Sequence, residues 1–451
     1  MKIDISLNEP LRPYGFAEIL LSYGVNTKTE VSLNIDYRNL YKFTKRKSGT
    51  AFDLFVIASI VYGIDILLPR EDIGFDGWSR EVELALPVEN PNTFVCGKEE
   101  LETALSFLTG DKWSISFEER RLRHMYKRGA RQKVFTDTYR SRHKVVNLFS
   151  GGMDSLIGAI NQLYSSSDAV CLVSHTDAMF KGAKKDQENI LHELRREYRH
   201  FRHLPTRVYM EKYDVNGCAY KKETTLRSRS FLFLSMAILV ADSLSPTMSV
   251  HIPENGTISL NFPLTPSRRS SCSTRTTHPY FLEQMRVFLQ KIGLNHSIVN
   301  NYQMCTKGEM VEQCLDRDML LRTYRLSCSC GKRGTRKDIR DNSHVANCGV
   351  CMPCVYRRAA LHKIGEREEV GTDIFNSQKR AFMAIPDMPA LVSYIRKDYT
   401  LADIARGLLI NGDLPLDKLN DYAEVVLRTR EEIKRWIRDE ATRDVKRQFG
   451  L

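Results

Sequence analysis

Val145-Val146-Asn147-Leu148-Phe149-Ser150-Gly151-Gly152-Met153-Asp154-Ser155-Leu156 is the stretch on which the fold turns. Five mostly apolar, β-favouring residues run into two consecutive glycines, and a helical pattern spans 154–163. A short buried strand, a tight turn and a helix follow from that pattern. The same rhythm repeats outward. Residues 169–174 read as a second buried strand, 184–201 as a long amphipathic helix and 207–210 as a third strand. Residues 227–243 then read as a mostly apolar helix and 248–252 as a fourth strand. Strands alternating with helices imply parallel βαβ units, so the expected fold class is α/β with a doubly wound parallel sheet.

The chain has 451 residues, more than one hydrophobic core usually supports. Residues 1–140 carry short alternating runs at 3–7, 17–21, 29–33, 80–87 and 113–117, with helical spacing at 51–62. They read as an α+β accessory domain without a catalytic constellation, joined by a basic connector at 120–133. Residues 144–325 form the doubly wound domain, 326–365 a cysteine-bearing segment and 370–451 a charged helical extension. Apolar residues at 42% and charged residues at 27% describe a soluble globular protein. The longest mostly apolar stretch, 231–241, is too short for a bilayer, which needs about 20 residues. The opening Met1-Lys2-Ile3-Asp4-Ile5 alternates and has no signal-peptide core, so a cytoplasmic protein is expected. A formal charge of +12 would suit a polyanionic partner. Its basic clusters, 42–47, 120–133 and 195–207, lack interleaved aromatics or a docking motif, and solvated faces are favoured over nucleic-acid binding.

The turn at Ser150-Gly151-Gly152 lies at the carboxyl end of the first buried strand, where open α/β sheets bind ligands. Two glycines let consecutive N–H groups face one anion, and the helix start adds its positive end. Ser150 and Ser155 offer hydroxyls. Asp154 is out of place beside phosphate unless it caps the helix or holds Mg²⁺. No Gly-Lys-Ser/Thr follows, which excludes a Walker A loop.

Of eleven cysteines, five fall between Cys328 and Cys354, whereas Cys171 sits in an apolar strand. Cys348, Cys351 and Cys354 stand at two-residue gaps, with Cys328 and Cys330 upstream to supply a fourth thiolate. This arrangement suits a closed, tetrahedral structural Zn²⁺ site, and an iron–sulfur cluster is the minor alternative.

The signature Ser150-Gly151-Gly152-Met153-Asp154-Ser155 resembles the PP-loop ATP pyrophosphatases. Together with the cysteine triplet it resembles one branch, the 7-cyano-7-deazaguanine synthase (QueC-like) family. Arg227-Ser228-Arg229-Ser230-Phe231 looks like that family's Pro-Gly-Arg-Asn-x-x-Phe helix start, with Arg229 on the motif arginine. Leu326-Ser327-Cys328 looks like its Trp-Ser-Cys, which favours Cys328 as the fourth ligand, and Cys354-Val355-Tyr356-Arg357 like its Cys-x-x-Arg. The family's Tyr-Gly-Gln is absent, replaced by His175-Thr176-Asp177-Ala178, and the substrate segment reads Asn261 to Pro266 and Arg275 to Pro279. With its two extra regions, the chain is most similar to the larger family members of anti-phage defence operons.

The resemblance implies ATP, Mg²⁺ and Zn²⁺ as cofactors and adenylation of a 7-deazaguanine carboxylate, followed by amide or nitrile formation. It implies nucleotide contacts from Phe149, Ser150, Gly151, Gly152, Met153, Asp154, Ser155 and Leu156, with Asp154, Ser150 and Arg229 as catalytic residues. Arg275 and His278 are weaker candidates for substrate contact, and Cys328, Cys348, Cys351 and Cys354 form the metal set. A partner protein from the same operon could supply the amine, and a homodimer stays open. The competing readings are a tRNA-modifying PP-loop enzyme and a non-catalytic nucleotide sensor.

Overall fold

The apolar run before the glycines forms the strand β6 (His143–Leu148), third from one edge of a ten-stranded sheet and central among its first five strands. The computed structural model describes residues 1–7, 16–24, 28–122, 125, 134–177, 182–265, 275–331, 345–375, 379–385 and 387–451. Most of 120–133, Ala178, Pro266 and the basic gap 332–344 lie outside the described residues. The other strands are β1 (Lys2–Leu7), β2 (Phe16–Tyr23), β3 (Thr29–Asp36), β4 (Glu81–Val88), β5 (Lys112–Glu119), β7 (Ala169–Thr176), β8 (Phe201–Met210), β9 (Val250–His251) and β10 (Ile298–Val299).

Their spatial order is β10-β9-β6-β7-β8-β3-β2-β1-β4-β5. The first five are parallel throughout. Numbered along the chain from β6, they stand 3-2-1-4-5, the doubly wound order, with its switch point between β6 and β9. The helix expected over 184–201 stops at Glu197, because the β-favouring residues Phe201, Thr206 and Val208 carry the chain into β8.

The accessory region does not stand apart. β3 runs antiparallel along β8, with Leu33 opposite Met210 and Asp36 opposite Arg207. It continues into β2 and β1, and β4 and β5 follow parallel to β1. β8 would otherwise present an edge of unpaired N–H and C=O groups, which β3 covers. Alternating sequence patterns announce these strands but carry no signal for which edge they join.

The helix Thr50–Leu67 lies beneath this junction, and 17 of its 18 residues are buried. A helix apolar on every side belongs in a core. It is longer than the 231–241 stretch and apolar enough in length and composition to cross a membrane. However, 94% of its 18-residue window is buried inside the protein, so it reads as a core helix. Its acids are paired. Asp53 meets Arg120 at 3.1 Å, and Asp65 meets Arg80 at 2.6 Å. Asp111 accepts from both Arg70 and Arg80 at 2.7 Å.

The C-terminal extension is helical, as expected. Its longest helix, Leu419–Glu440, packs against the helices Lys307–Glu312 and Met352–Lys363. Glu432 on it accepts from Thr306 Oγ1 (2.5 Å) and Gly308 N–H (3.3 Å) at the start of the first of these. A carboxylate there complements the helix's positive end.

Candidate functional site

The turn between β6 and the helix Met153–Ser165 is held by its own polar groups. Gly151 has φ +87°, a left-handed conformation that favours glycine. Its N–H donates to Ser155 Oγ (3.1 Å), which also accepts from Ser150 Oγ (3.1 Å) and donates to Gly152 O (2.9 Å). The two hydroxyls expected to face an anion are therefore spent on closing the turn. Leu156 N–H makes the first helical bond, to Gly152 O (3.0 Å). The N–H groups of Met153, Asp154 and Ser155 precede it and have no partner within the helix. Phe149, Met153 and Leu156 are fully buried in the core, so any contact they make with a ligand comes from backbone. Gln187 Nε2 braces Ser150 O at 3.1 Å from a neighbouring helix.

Across the switch point, the segment after β9 closes on this helix. A Cβ on Gly158 would lie 2.3 Å from the Pro253 Cβ, so glycine permits the approach. Asp154 neither caps its helix nor faces open solvent. Its Oδ1 accepts from Lys307 Nζ (2.6 Å) and its Oδ2 from Asn255 Nδ2 (2.9 Å). Burial pushes Asp154 up, but the Lys307 ammonium and the hydrogen bonds from Glu254, Lys307 and Asn255 together outweigh it, and the carboxyl lies below its ordinary value. Burial and the adjacent Asp154 hold Glu254 well above the ordinary carboxyl value. Lys307, Asn255 and Glu254 were not foreseen. Lys307 is more than 150 residues from Asp154 in sequence, and no spacing rule connects them.

A cavity of about 360 Å³ opens here, bounded by Ser150, Ser155, Thr225, Arg229, Glu254 and Thr277 among others. Among the described lining side chains, Arg229 is the sole cation and Glu254 the sole acid. The approach to Arg229 is strained, since Leu226 on the cavity wall has φ +45°. Arg275 and His278 are placed elsewhere. Arg275 donates to Phe107 O (2.9 Å) and lies over the Phe107 ring at 4.5 Å. His278 caps the helix Pro279–Lys291 by accepting from Tyr280 N–H (3.2 Å), and burial pushes its pKa down to about 3. Thr276 and Thr277, between them, reach the cavity.

The sulfurs of Cys330, Cys348, Cys351 and Cys354 lie within 4.8 Å of one another and could hold a metal such as zinc. The geometry thus groups Cys330, rather than the expected Cys328, with the three closely spaced cysteines. Cys328 Sγ donates to Ala346 O (3.6 Å), while its N–H donates to Gly151 O (3.1 Å) in the glycine turn. Cys351 caps the helix Met352–Lys363, which carries Cys354 in its first turn. One turn further, buried Arg357 donates to Ser327 Oγ (2.8 Å) and Tyr324 O (2.7 Å) and pairs with Glu368 (2.8 Å).

Gly349 makes the knuckle, with φ +83° and a would-be Cβ 2.3 Å from Thr372 O. Gly349→Ala is expected to cost more than the ~1–3 kcal/mol of left-handed strain alone. Gly365→Ala, with φ +77° and nothing within 4 Å, should cost the strain only. Thermal denaturation of the two zinc-loaded variants checks the difference, and equal losses would remove the contact with Thr372 from the account.

No protein-family model, curated protein or solved structure matches this chain.

Proposed function

We propose that the chain is an adenylating enzyme that cleaves ATP between its α- and β-phosphates and activates the carboxylate of a 7-deazaguanine base. One observation carries the reading: a glycine turn, a helix start with unbonded N–H groups and a cavity with a single cation meet at one switch point. A carboxylate oxygen attacks the α-phosphorus, the bond to the bridging oxygen breaks, and pyrophosphate leaves with the electron pair. A nitrogen nucleophile then attacks the acyl carbon, AMP departs and the nitrogen loses a proton, leaving an amide. With ammonia, a second activation dehydrates that amide to a nitrile. The defence-operon resemblance points instead to an amine on a partner protein.

The N–H groups of Met153, Asp154 and Ser155 and the Arg229 guanidinium would take up the charge of the departing pyrophosphate. Mg²⁺ fits the oxygen donors of Glu254 and Asp154, and when bound it would neutralise phosphate charge. Lys307 already occupies one Asp154 oxygen, so Glu254 on the cavity wall is the more accessible donor.

Pyrophosphate release from ATP with 7-carboxy-7-deazaguanine is expected from wild type, and at least tenfold more slowly from Asp154→Ala. Absence of release by zinc-loaded wild type would sink the reading. Release indifferent to Asp154→Ala would detach this cluster from the chemistry.

A further inference from the structure

The helix Thr50–Leu67 is apolar nearly throughout, yet two of its polar side chains reach toward the cavity rather than away from it. Tyr62 and Asp65 stand three positions apart, hence on one face, and that face packs against the helix Arg229–Leu244. Asp65 contacts the start of that helix, which carries a wall of the cavity, and Tyr62 reaches the same helix through His175.

Asp65 takes hold of the helix start. Ser228 is the N-cap residue, but its own side chain makes no capping bond. Instead its N–H and its Oγ both donate to Asp65 Oδ2 at 2.9 Å. The other Asp65 oxygen accepts from Arg80 at 2.6 Å, so the clamp is itself fixed. A carboxylate at a helix N-terminus is favourable, and here it comes from another part of the chain.

Tyr62 acts through rings. Its hydroxyl donates to Asp177 Oδ2 (2.6 Å), just beyond the carboxyl end of β7. Its ring meets the His175 ring edge-on at 5.3 Å, and the His175 ring meets that of Phe233 at 5.7 Å. The Arg229 guanidinium lies over Phe233 at 5.2 Å. His175 stays neutral in this stack, because burial and then the charge of Arg229 push it down to about 3. Its Nε2 faces the N–H and C=O of Val208. The stack therefore links β7, the core helix and the cation without a competing charge. Rings packed edge to face keep a long side chain from wandering, and a guanidinium displaced by about 1 Å loses much of its value to a developing charge.

We propose that the N-terminal region is a positioning element of the nucleotide site, in which Tyr62, through His175 and Phe233, and Asp65, through Ser228, fix Arg229 for an anionic phosphate. This rests on the pyrophosphate-forming function proposed above. It assigns to residues 1–140 a role in the reaction rather than in docking.

The test is calorimetric titration of the full chain with inorganic pyrophosphate and Mg²⁺, which needs no identified carboxylate or amine. Arg229→Ala is expected to weaken binding about tenfold. Tyr62→Leu, which removes the ring, should weaken it severalfold, whereas Tyr62→Phe should restore it to within twofold of wild type. The double variant Tyr62→Leu/Arg229→Ala should bind no more weakly than Arg229→Ala alone, since both act on one contact. Phe233→Leu provides the same comparison should Tyr62→Leu fail to fold. Wild-type affinity in the ring-deleted variants, or additive losses in the double, would overturn the positioning role. Wild type that binds no pyrophosphate would instead sink the function on which it rests.

Discussion

Cys330→Ser is expected to strip the chain of its metal, whereas Cys328→Ser should keep it. Zinc with four thiolates at ~2.3 Å places neighbouring sulfurs about 3.8 Å apart. The observed separations bracket that value: 4.0 Å for Cys330 and Cys351, 3.8 Å for Cys348 and Cys354, and 3.4 Å for Cys351 and Cys354. All are far beyond the ~2.05 Å of a disulfide. Cys328 points elsewhere, and burial pushes its thiol up to about 11. Structural zinc binding is worth ~10–16 kcal/mol across four ligands, so one thiolate represents roughly 3–4 kcal/mol. Its loss corresponds to about two to three orders of magnitude in zinc affinity. Elemental analysis after dialysis against a moderate chelator would read the difference. Metal lost from Cys328→Ser and retained in Cys330→Ser would reinstate the ligand set drawn from the resemblance.

The same variant bears on the site. Arg357, on the helix that brings Cys351 and Cys354, holds residues 324–329, and Cys328 N–H in turn holds Gly151 O. A metal held by the four sulfurs would thus support the glycine turn through one helix and one short segment. The Leu326-Ser327-Cys328 stretch therefore marks the segment that carries the cluster's upstream sulfur, while the geometry brings Cys330 and not Cys328 into it. The motif marks where the chain passes beneath the turn, but two thiols two residues apart cannot be ranked by sequence. Which one enters the cluster depends on Ser327 and Ser329 being turned toward Arg357, at 2.8 and 3.3 Å.

The doubly wound half was legible for a physical reason. Buried parallel strands must be continuously apolar, so 145–149 and 169–174 stand out from the amphipathic helices between them. The glycine turn is legible because its function depends on backbone. What escaped was tertiary. Lys307, Glu254 and Asn255 are single polar residues at the ends of short elements, and nothing in their neighbourhoods distinguishes them from surface residues. The extra regions also escaped. They look separable in sequence, but β3 completes the sheet at β8, Asp65 clamps Ser228, and Glu432 holds the start of the helix that bears Lys307. Both regions brace the cavity from outside, the N-terminal one at Arg229 and the C-terminal one at Lys307.

Lys307→Met is expected to destabilise the protein by about 3–5 kcal/mol at neutral pH, the usual cost of leaving one partner of a buried ion pair uncompensated. Lys307 is 4% exposed, and its ammonium is 2.6 Å from Asp154, with the Glu254 carboxyl adjacent. Methionine retains the apolar stem, so the loss reports on charge. The pair holds Asp154 below its ordinary value of 3.8. A lowered carboxyl contributes stability that is present above the ordinary value and is lost as pH falls through the folded one. The gap between wild type and Lys307→Met should therefore be full at pH 7 and close progressively below about pH 4, as Asp154 takes up a proton. Urea unfolding at a series of pH values would show it. Asp154→Asn/Lys307→Met should recover most of the stability at pH 7, because no lone charge is left behind. A gap that does not change with pH, or a double variant as weak as the single, would mean that Lys307 matters for packing alone. In that case the acid expected to hold Mg²⁺ would not be neutralised by a resident cation.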